Sequence, residues 1–105
     1  MPNFQSPSGP DGQRLQAAAA LLARGAYREA HGICLTVLRD SPGHAEALYL
    51  LGILTSDHAN FARAEELFRA ALESAPGHAA AHAQRGRCLI ALSRRAEAVE
   101  AARLA

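Results

Sequence analysis

From Ala45 to about Asp57, Leu48, Leu51, Gly52 and Thr55 recur at steps of three and four, which is one face of an α-helix. From Phe61 to Ser74, Phe61, Ala64, Phe68, Ala71 and Leu72 do the same. Between these runs, Asp57-His58-Ala59-Asn60 is too polar to be core, and Asn60 suits an N-cap because its side chain can accept an orphan helix amide. Pro76-Gly77 closes the second run: proline cannot continue the hydrogen-bond ladder, and glycine accepts a left-handed turn. The spacing therefore predicts two antiparallel helices joined by a short turn.

The same pattern returns along the chain. Pro42-Gly43-His44 recurs as Pro76-Gly77-His78, an offset of 34 residues. At that offset Ala30 falls on Ala64 and Ala64 on Ala98, Leu38 on Leu72, Tyr27 on Phe61, and Gly52 on Gly86. Small, aromatic and turn residues sharing one period mark an internal repeat. The units run over about 11–44 and 45–78, with an incomplete third over 79–105. Residues 1–10, rich in Pro, Ser and Gly, bury too little to offset their ordering entropy, so a disordered tail is expected there.

With Leu48, Leu51-Gly52, Thr55, Ala64, Phe68 and Pro76 at these spacings, the middle unit resembles the tetratricopeptide repeat family. In that unit only the Trp and Tyr positions differ in kind, and the likeness extends from Asp11 to Ala105. It implies an all-α fold, helical hairpins stacked as a right-handed superhelix. The physical basis is close packing: Gly52, Ala64 and Ala71 remove bulk where helices meet, and Leu51 and Phe68 fill the remaining gaps.

The flanking units are looser copies. The first has Ala17-Ala18 where Leu-Gly would stand, Cys34 for the Phe and Val37 for the last Ala, yet keeps Ala30 and Pro42. The third keeps Gly86 and Ala98, but Arg85 replaces the Leu, Arg95 the aromatic and Ala102 the Phe. Its second helix, Ala96 to Leu104, is short and offers no polar cap for the end of a stack. Two explanations fit: the chain is a fragment of a longer protein, which we favour, or self-association covers the uncapped C-terminal hairpin.

The resemblance implies that the first helix of each unit lines a concave groove. Leu15, Ala19 and Leu22 would come from the first unit, Glu46, Tyr49, Ile53, Ser56 and Asp57 from the second, and Ala83, Arg87 and Ile90 from the third. Such a wall suits an extended or helical peptide with apolar anchors, Tyr49 being the foremost contact. The plainer alternative is that some of these side chains only pack against neighbouring helices. Relatives that grip a chaperone C-terminus use Lys and Asn where Leu15 and Ala19 stand, so no such clamp is expected. A protein–protein interaction module is the expected function. One alternative is an interaction or dimerisation module at the N-terminus of a longer bacterial enzyme, such as a transferase; another is a structural homo-oligomer.

Charge changes this picture locally. The net charge is +1, which argues for neither nucleic acid nor an anionic membrane as partner. By unit, four Arg face three acids, two face five, and five face two, giving +1, −3 and +3. The basic set, Arg85, Arg87, Arg94, Arg95 and Arg103, could meet an acidic partner, a following domain or the acidic unit of a second copy; a solvated face is the plain reading. All eleven basic residues are Arg, which reads as the codon bias of a GC-rich bacterial genome.

Chemistry-bearing motifs are sparse. His78 and His82 stand four apart on one helix face, but no third ligand is evident, so neither metal nor other cofactor is expected. Cys34 and Cys88 read as small apolar fillers. No phosphate loop, dinucleotide fingerprint or nucleophile elbow occurs, and catalysis is not expected. The first residues lack the basic start and apolar run of a secretory signal, and no apolar stretch is long enough to cross a membrane; the default placement is cytoplasmic.

Overall fold

A computed structural model describes residues 10–104. Among them the chain is all-helical, without strands: α1 (Pro10–Ala23), α2 (Tyr27–Asp40), α3 (Ala45–Asp57), α4 (Phe61–Ser74) and α5 (Ala79–Leu104). The expected tail lies outside the described residues, apart from Pro10. That residue opens α1, where proline's missing N–H is an orphan donor in any case.

The first four helices each bury one face. Leu15 and Ala18 of α1, Ala30, Cys34 and Val37 of α2, and Ala64, Leu67, Phe68 and Ala71 of α4 are buried. The central helix α3 buries most: Ala47, Leu48, Leu50, Leu51, Gly52 and Leu54. Apolar burial on this scale is the main driving force, about 1.5–3 kcal/mol for each large side chain fully removed from water. No charged or polar residue is buried among those described.

The turns repeat bond for bond after 34 residues. The amide of Ala26 donates to Leu21 O at 2.8 Å, and that of Asn60 to Thr55 O at 3.1 Å. The amides of Ser41 and Ala75 donate to Val37 O and Ala71 O, both at 2.9 Å. Those of His44 and His78 donate to Ser41 O and Ala75 O, both at 3.0 Å. Asn60 caps α4 as expected, its Oδ1 accepting the Arg63 amide at 3.4 Å.

The left-handed residues differ from the expectation. Positive φ occurs at Gly25 (80°) and Ala59 (63°), which share one register inside the hairpins, and not at Gly77. The Pro-Gly turns between hairpins therefore close without a left-handed glycine. Their proline supplies the stop and their histidine, described below, the next helix's cap.

A larger correction concerns the third unit. No hairpin forms: α5 runs unbroken for 26 residues, and the second helix expected from Ala96 is its continuation. Where Gly25-Ala26 and Ala59-Asn60 turn the chain, the third unit has Ser93-Arg94, which offers neither the glycine of the first turn nor the capping Asn of the second. Ser93 Oγ donates to Glu97 Oε1 at 3.3 Å instead of accepting a backbone amide. Arg95, in place of the aromatic, lays its guanidinium carbon 5.4 Å from the Phe61 ring centroid and donates to Ala59 O at 3.4 Å. Beyond this point α5 has left its neighbour behind, and every residue from Ser93 to Arg103 is exposed. The described chain measures 64 × 28 × 20 Å.

Candidate binding face

The helices touch in an uneven way. α3 packs on α4, α4 on α5, α1 on α2 and α2 on α3; α1 also touches α3, and α3 touches α5. Between the second helices of the two hairpins, α2 and α4, no backbone approach within 8 Å (Cα to Cα) occurs. The first helices α1, α3 and α5 thus form one continuous wall.

The groove residues anticipated from sequence fall into three groups on this wall. Ala19, Glu46, Asp57, Ala83, Arg87 and Ile90 are exposed, Ile90 at 54% being the large apolar side chain among them. Leu22, Tyr49, Ile53 and Ser56 are half-buried, packing on neighbours while keeping one edge outward. Leu15 is a correction: at 3% exposure it belongs to the core under α2 and α3 and offers no surface to a ligand. One turn further along α1, Ala19 takes the outward position.

Tyr49 is held from two sides. Its ring centroid lies 5.8 Å from that of Phe68 and 4.8 Å from that of His78. Burial, then the charge of Glu46, pushes its hydroxyl above the usual phenol range. Glu46 Oε1 accepts from His78 Nε2 at 3.3 Å, so Glu46, Tyr49 and His78 make one polar-aromatic cluster at the α3–α5 junction. His78 was missed as a member of this wall; its place in the recurring Pro-Gly-His turn was the available signal. Deeper in, Ile53 packs beside Phe68 and Cys88. Burial pushes the Cys88 thiol up, a hydrogen bond with Ser56 draws it down, and the charge of Glu65 adds to the rise.

Part of the third unit's positive charge is used inside the chain. Arg85 Nε donates to Glu65 Oε2 at 2.8 Å across the α4–α5 seam, and Arg69 lies 3.5 Å from the other oxygen. The acidic second unit and the basic third unit therefore meet within one molecule. Arg87 remains exposed on the wall, with no ion pair among the described residues.

His78 and His82 do not converge on a common point. His78 Nδ1 accepts the Ala81 amide, and His82 Nε2 donates to Pro76 O at 2.8 Å. No three His, Cys, Asp or Glu side chains among the described residues cluster as a metal site. A shallow depression of about 490 Å³ at the α2–α3 seam, lined by Tyr27, His31, His58 and Asn60 among others, was not foreseen in the sequence. No helix among the described residues is long and apolar enough to cross a membrane. Compared with protein-family models and with curated proteins, the chain finds no match.

Proposed function

We propose that the chain is a tetratricopeptide-like protein-interaction module whose α1–α3–α5 wall is the concave side of a right-handed superhelix and receives a peptide segment of another protein. One observation carries the reading: the first helices touch their neighbours along the chain, whereas α2 and α4 stand apart. A stack that is closer on one side than the other bends toward the closer side. The wall presents apolar Ile90 and the edge of Tyr49, with Glu46 and Asp57 in the middle and Arg87 at one end. An extended or helical segment with apolar anchors and a basic centre complements that order, and a preformed wall keeps the ordering cost of binding low.

The test is to select peptides against the chain from a random display library and map the best one by amide chemical shifts. Perturbations along α1, α3 and α5 are expected. Arg87→Glu combined with Ile90→Ser should weaken binding at least about tenfold, the loss of one charge contact and one apolar anchor, while leaving the melting temperature unchanged. Perturbations confined to α2 and α4 would sink the reading.

A second reading, self-association through α5, rests on a separate observation. Leu89, Ile90 and Val99 are 46%, 54% and 55% exposed on this helix, and its last turns have no neighbour among the described residues. Sedimentation equilibrium over a wide concentration range, with Val99→Glu as control, separates the two. A monomer at all concentrations removes this second reading and leaves the first in place.

A further inference from the structure

The two Pro-Gly-His turns use their histidine in one and the same way. His44 Nδ1 accepts the Ala47 amide at 3.4 Å, and His78 Nδ1 accepts the Ala81 amide at 3.1 Å. Both histidines precede the first residue of a helix, α3 or α5, and the amide each accepts is that of the third helical residue, the usual N-cap bond. Unlike Asn, Asp or Ser, an imidazole accepts at Nδ1 only when that nitrogen carries no proton. Each cap therefore requires a neutral ring with its proton on Nε2. At His78 that tautomer fits a second contact, since Nε2 then donates to Glu46 Oε1 at 3.3 Å. A proton on Nδ1 turns the acceptor into a donor facing another donor. It also puts positive charge at the positive end of a helix dipole.

We propose that these turns are proton-sensitive seams between the hairpins: acidification through the range where imidazoles titrate uncaps α3 and α5, and the His44 seam gives way first. The order follows from the surroundings of each ring. His78 faces Glu46 and Tyr49 of α3, with His82 on its own helix. A charged His78 still faces the Glu46 carboxylate at 3.3 Å, so there an ion pair offsets the lost cap. One repeat earlier, Gly12 stands where Glu46 stands and Leu15 where Tyr49 stands. Among the described residues no ion pair reaches His44; the charged groups nearest in sequence are Asp40 and Glu46, Glu46 is engaged by His78, and the charged groups of α1, which packs on α3, are Asp11 and Arg14, paired with each other at 3.8 Å. From α4, the neutral Ser74 hydroxyl packs beside the adjacent Gly43. His44 therefore loses its cap without compensation. The proposal is independent of what the wall binds.

Two measurements on the full chain test it. Nitrogen-15 spectra of the imidazoles at pH 8 should show both His44 and His78 as Nε2–H tautomers. Urea unfolding is then compared at pH 8 and pH 5.5 for the wild type, His44→Asn, His78→Asn and Glu46→Gln, because Asn caps a helix without titrating here. Between these pH values the wild-type unfolding constant should rise about fivefold more than that of His44→Asn, the effect of one ordinary N-cap. His78→Asn should keep most of the wild-type dependence. Glu46→Gln should steepen it, and adding His78→Asn should remove the excess. If His44→Asn tracks the wild type, or His44 carries its proton on Nδ1 at pH 8, the proposal fails. Should His44→Asn not fold, the tautomer and the acid-dependent loss of protection at the Ala47 amide decide instead.

Discussion

A Cβ placed on Gly52 would lie 2.6 Å from Cε1 of Phe68 and 2.9 Å from Cδ1 and Cζ, so the Phe68 ring sits directly on the α3 backbone. Gly86 occupies the same register one repeat later, yet a Cβ there meets nothing within 4 Å. The difference lies in what the opposing helix supplies. Phe68 returns along α4 to cover Gly52, whereas its counterpart Ala102 lies further along the same straight helix as Gly86, roughly 24 Å away at 1.5 Å per residue.

Opposite outcomes are expected for one substitution at these two sites. Gly52→Ala must displace a fully buried ring and should cost about 2–3 kcal/mol, as overpacking of a tight core does. Gly86→Ala, in an open helix interior, should stabilise by up to about 1 kcal/mol through helix propensity. Urea unfolding of both variants is the check. Adding Phe68→Leu to Gly52→Ala should recover part of the loss without restoring full wild-type stability, because the smaller side chain leaves a cavity. A neutral Gly52→Ala would mean that the ring does not rest there.

That contrast also marks how far the sequence could be read. Helices over 45–57 and 61–74 were legible to the residue because two signals agreed: the apolar period ran through each helix, and turn chemistry stood at both ends. The same glycine, at Gly86, was legible as a repeat position but not as an empty one. Whether a small residue is covered depends on a chain reversal seven residues further on. Ser93-Arg94 cannot drive that reversal, and Arg95 fastens the straight path to Ala59 and Phe61. On the wall, the resemblance pointed to Glu46 and Asp57 of α3 and to Ala83, Arg87 and Ile90 of α5, which are exposed, and to Tyr49, Ile53 and Ser56, which are half-buried. Leu15 was misread because the first unit has lost the Leu-Gly pair, so that a groove position of the pattern fills core instead.

One carboxylate adds an ion pair to the apolar α4–α5 seam. Glu65 is only 13% exposed and accepts from Arg85 at 2.8 Å, while Arg69 approaches to 3.5 Å on the open side. A double-mutant cycle on Glu65→Gln and Arg85→Ala should give a coupling of about 1 kcal/mol that persists at high salt, because the pair is partly shielded from water. The same cycle with Arg69→Ala should give less than about 0.5 kcal/mol, as exposed pairs on one helix do. Equal couplings for both arginines would show that Glu65 does not tie the helices.

Alkali should loosen the fold through its thiols. Cys34 is fully buried, and burial pushes its thiol from 9.0 up to about 11. A raised thiol means that the neutral form is favoured in the folded state. The stabilisation is complete below pH 9 and drains away as the pH climbs toward 11. A rise of this size corresponds to about 2–3 kcal/mol at most. Cys34→Ala should begin less stable at pH 7, from the cavity, yet lose less between pH 9 and pH 11 than the wild type does. The loss should be reduced and not abolished, because burial also raises Cys88 and Tyr49. Thiol titration with an aromatic disulfide at pH 8 should report both cysteines only on unfolding.

The straight path of α5 should be reversible by two substitutions. Ser93→Gly with Arg94→Asn supplies what the other units have at this register: a residue free to take the left-handed step, as Gly25 and Ala59 do, and the cap that Asn60 provides for α4. In the straight helix the glycine alone costs about 1 kcal/mol, so the pair both weakens the continuous form and favours a turn. A spin label at residue 101, exposed in α5, should broaden amide signals near Arg85 and Cys88 in the double variant and leave them sharp in the wild type. Arg95 opposes the change through its contacts with Phe61 and Ala59, so adding Arg95→Phe should increase the folded-back population. Were the labelled triple variant to stay straight, the missing turn residues would not be what holds α5 open, and the cause would lie in the want of an aromatic at Ala102 to close over Gly86.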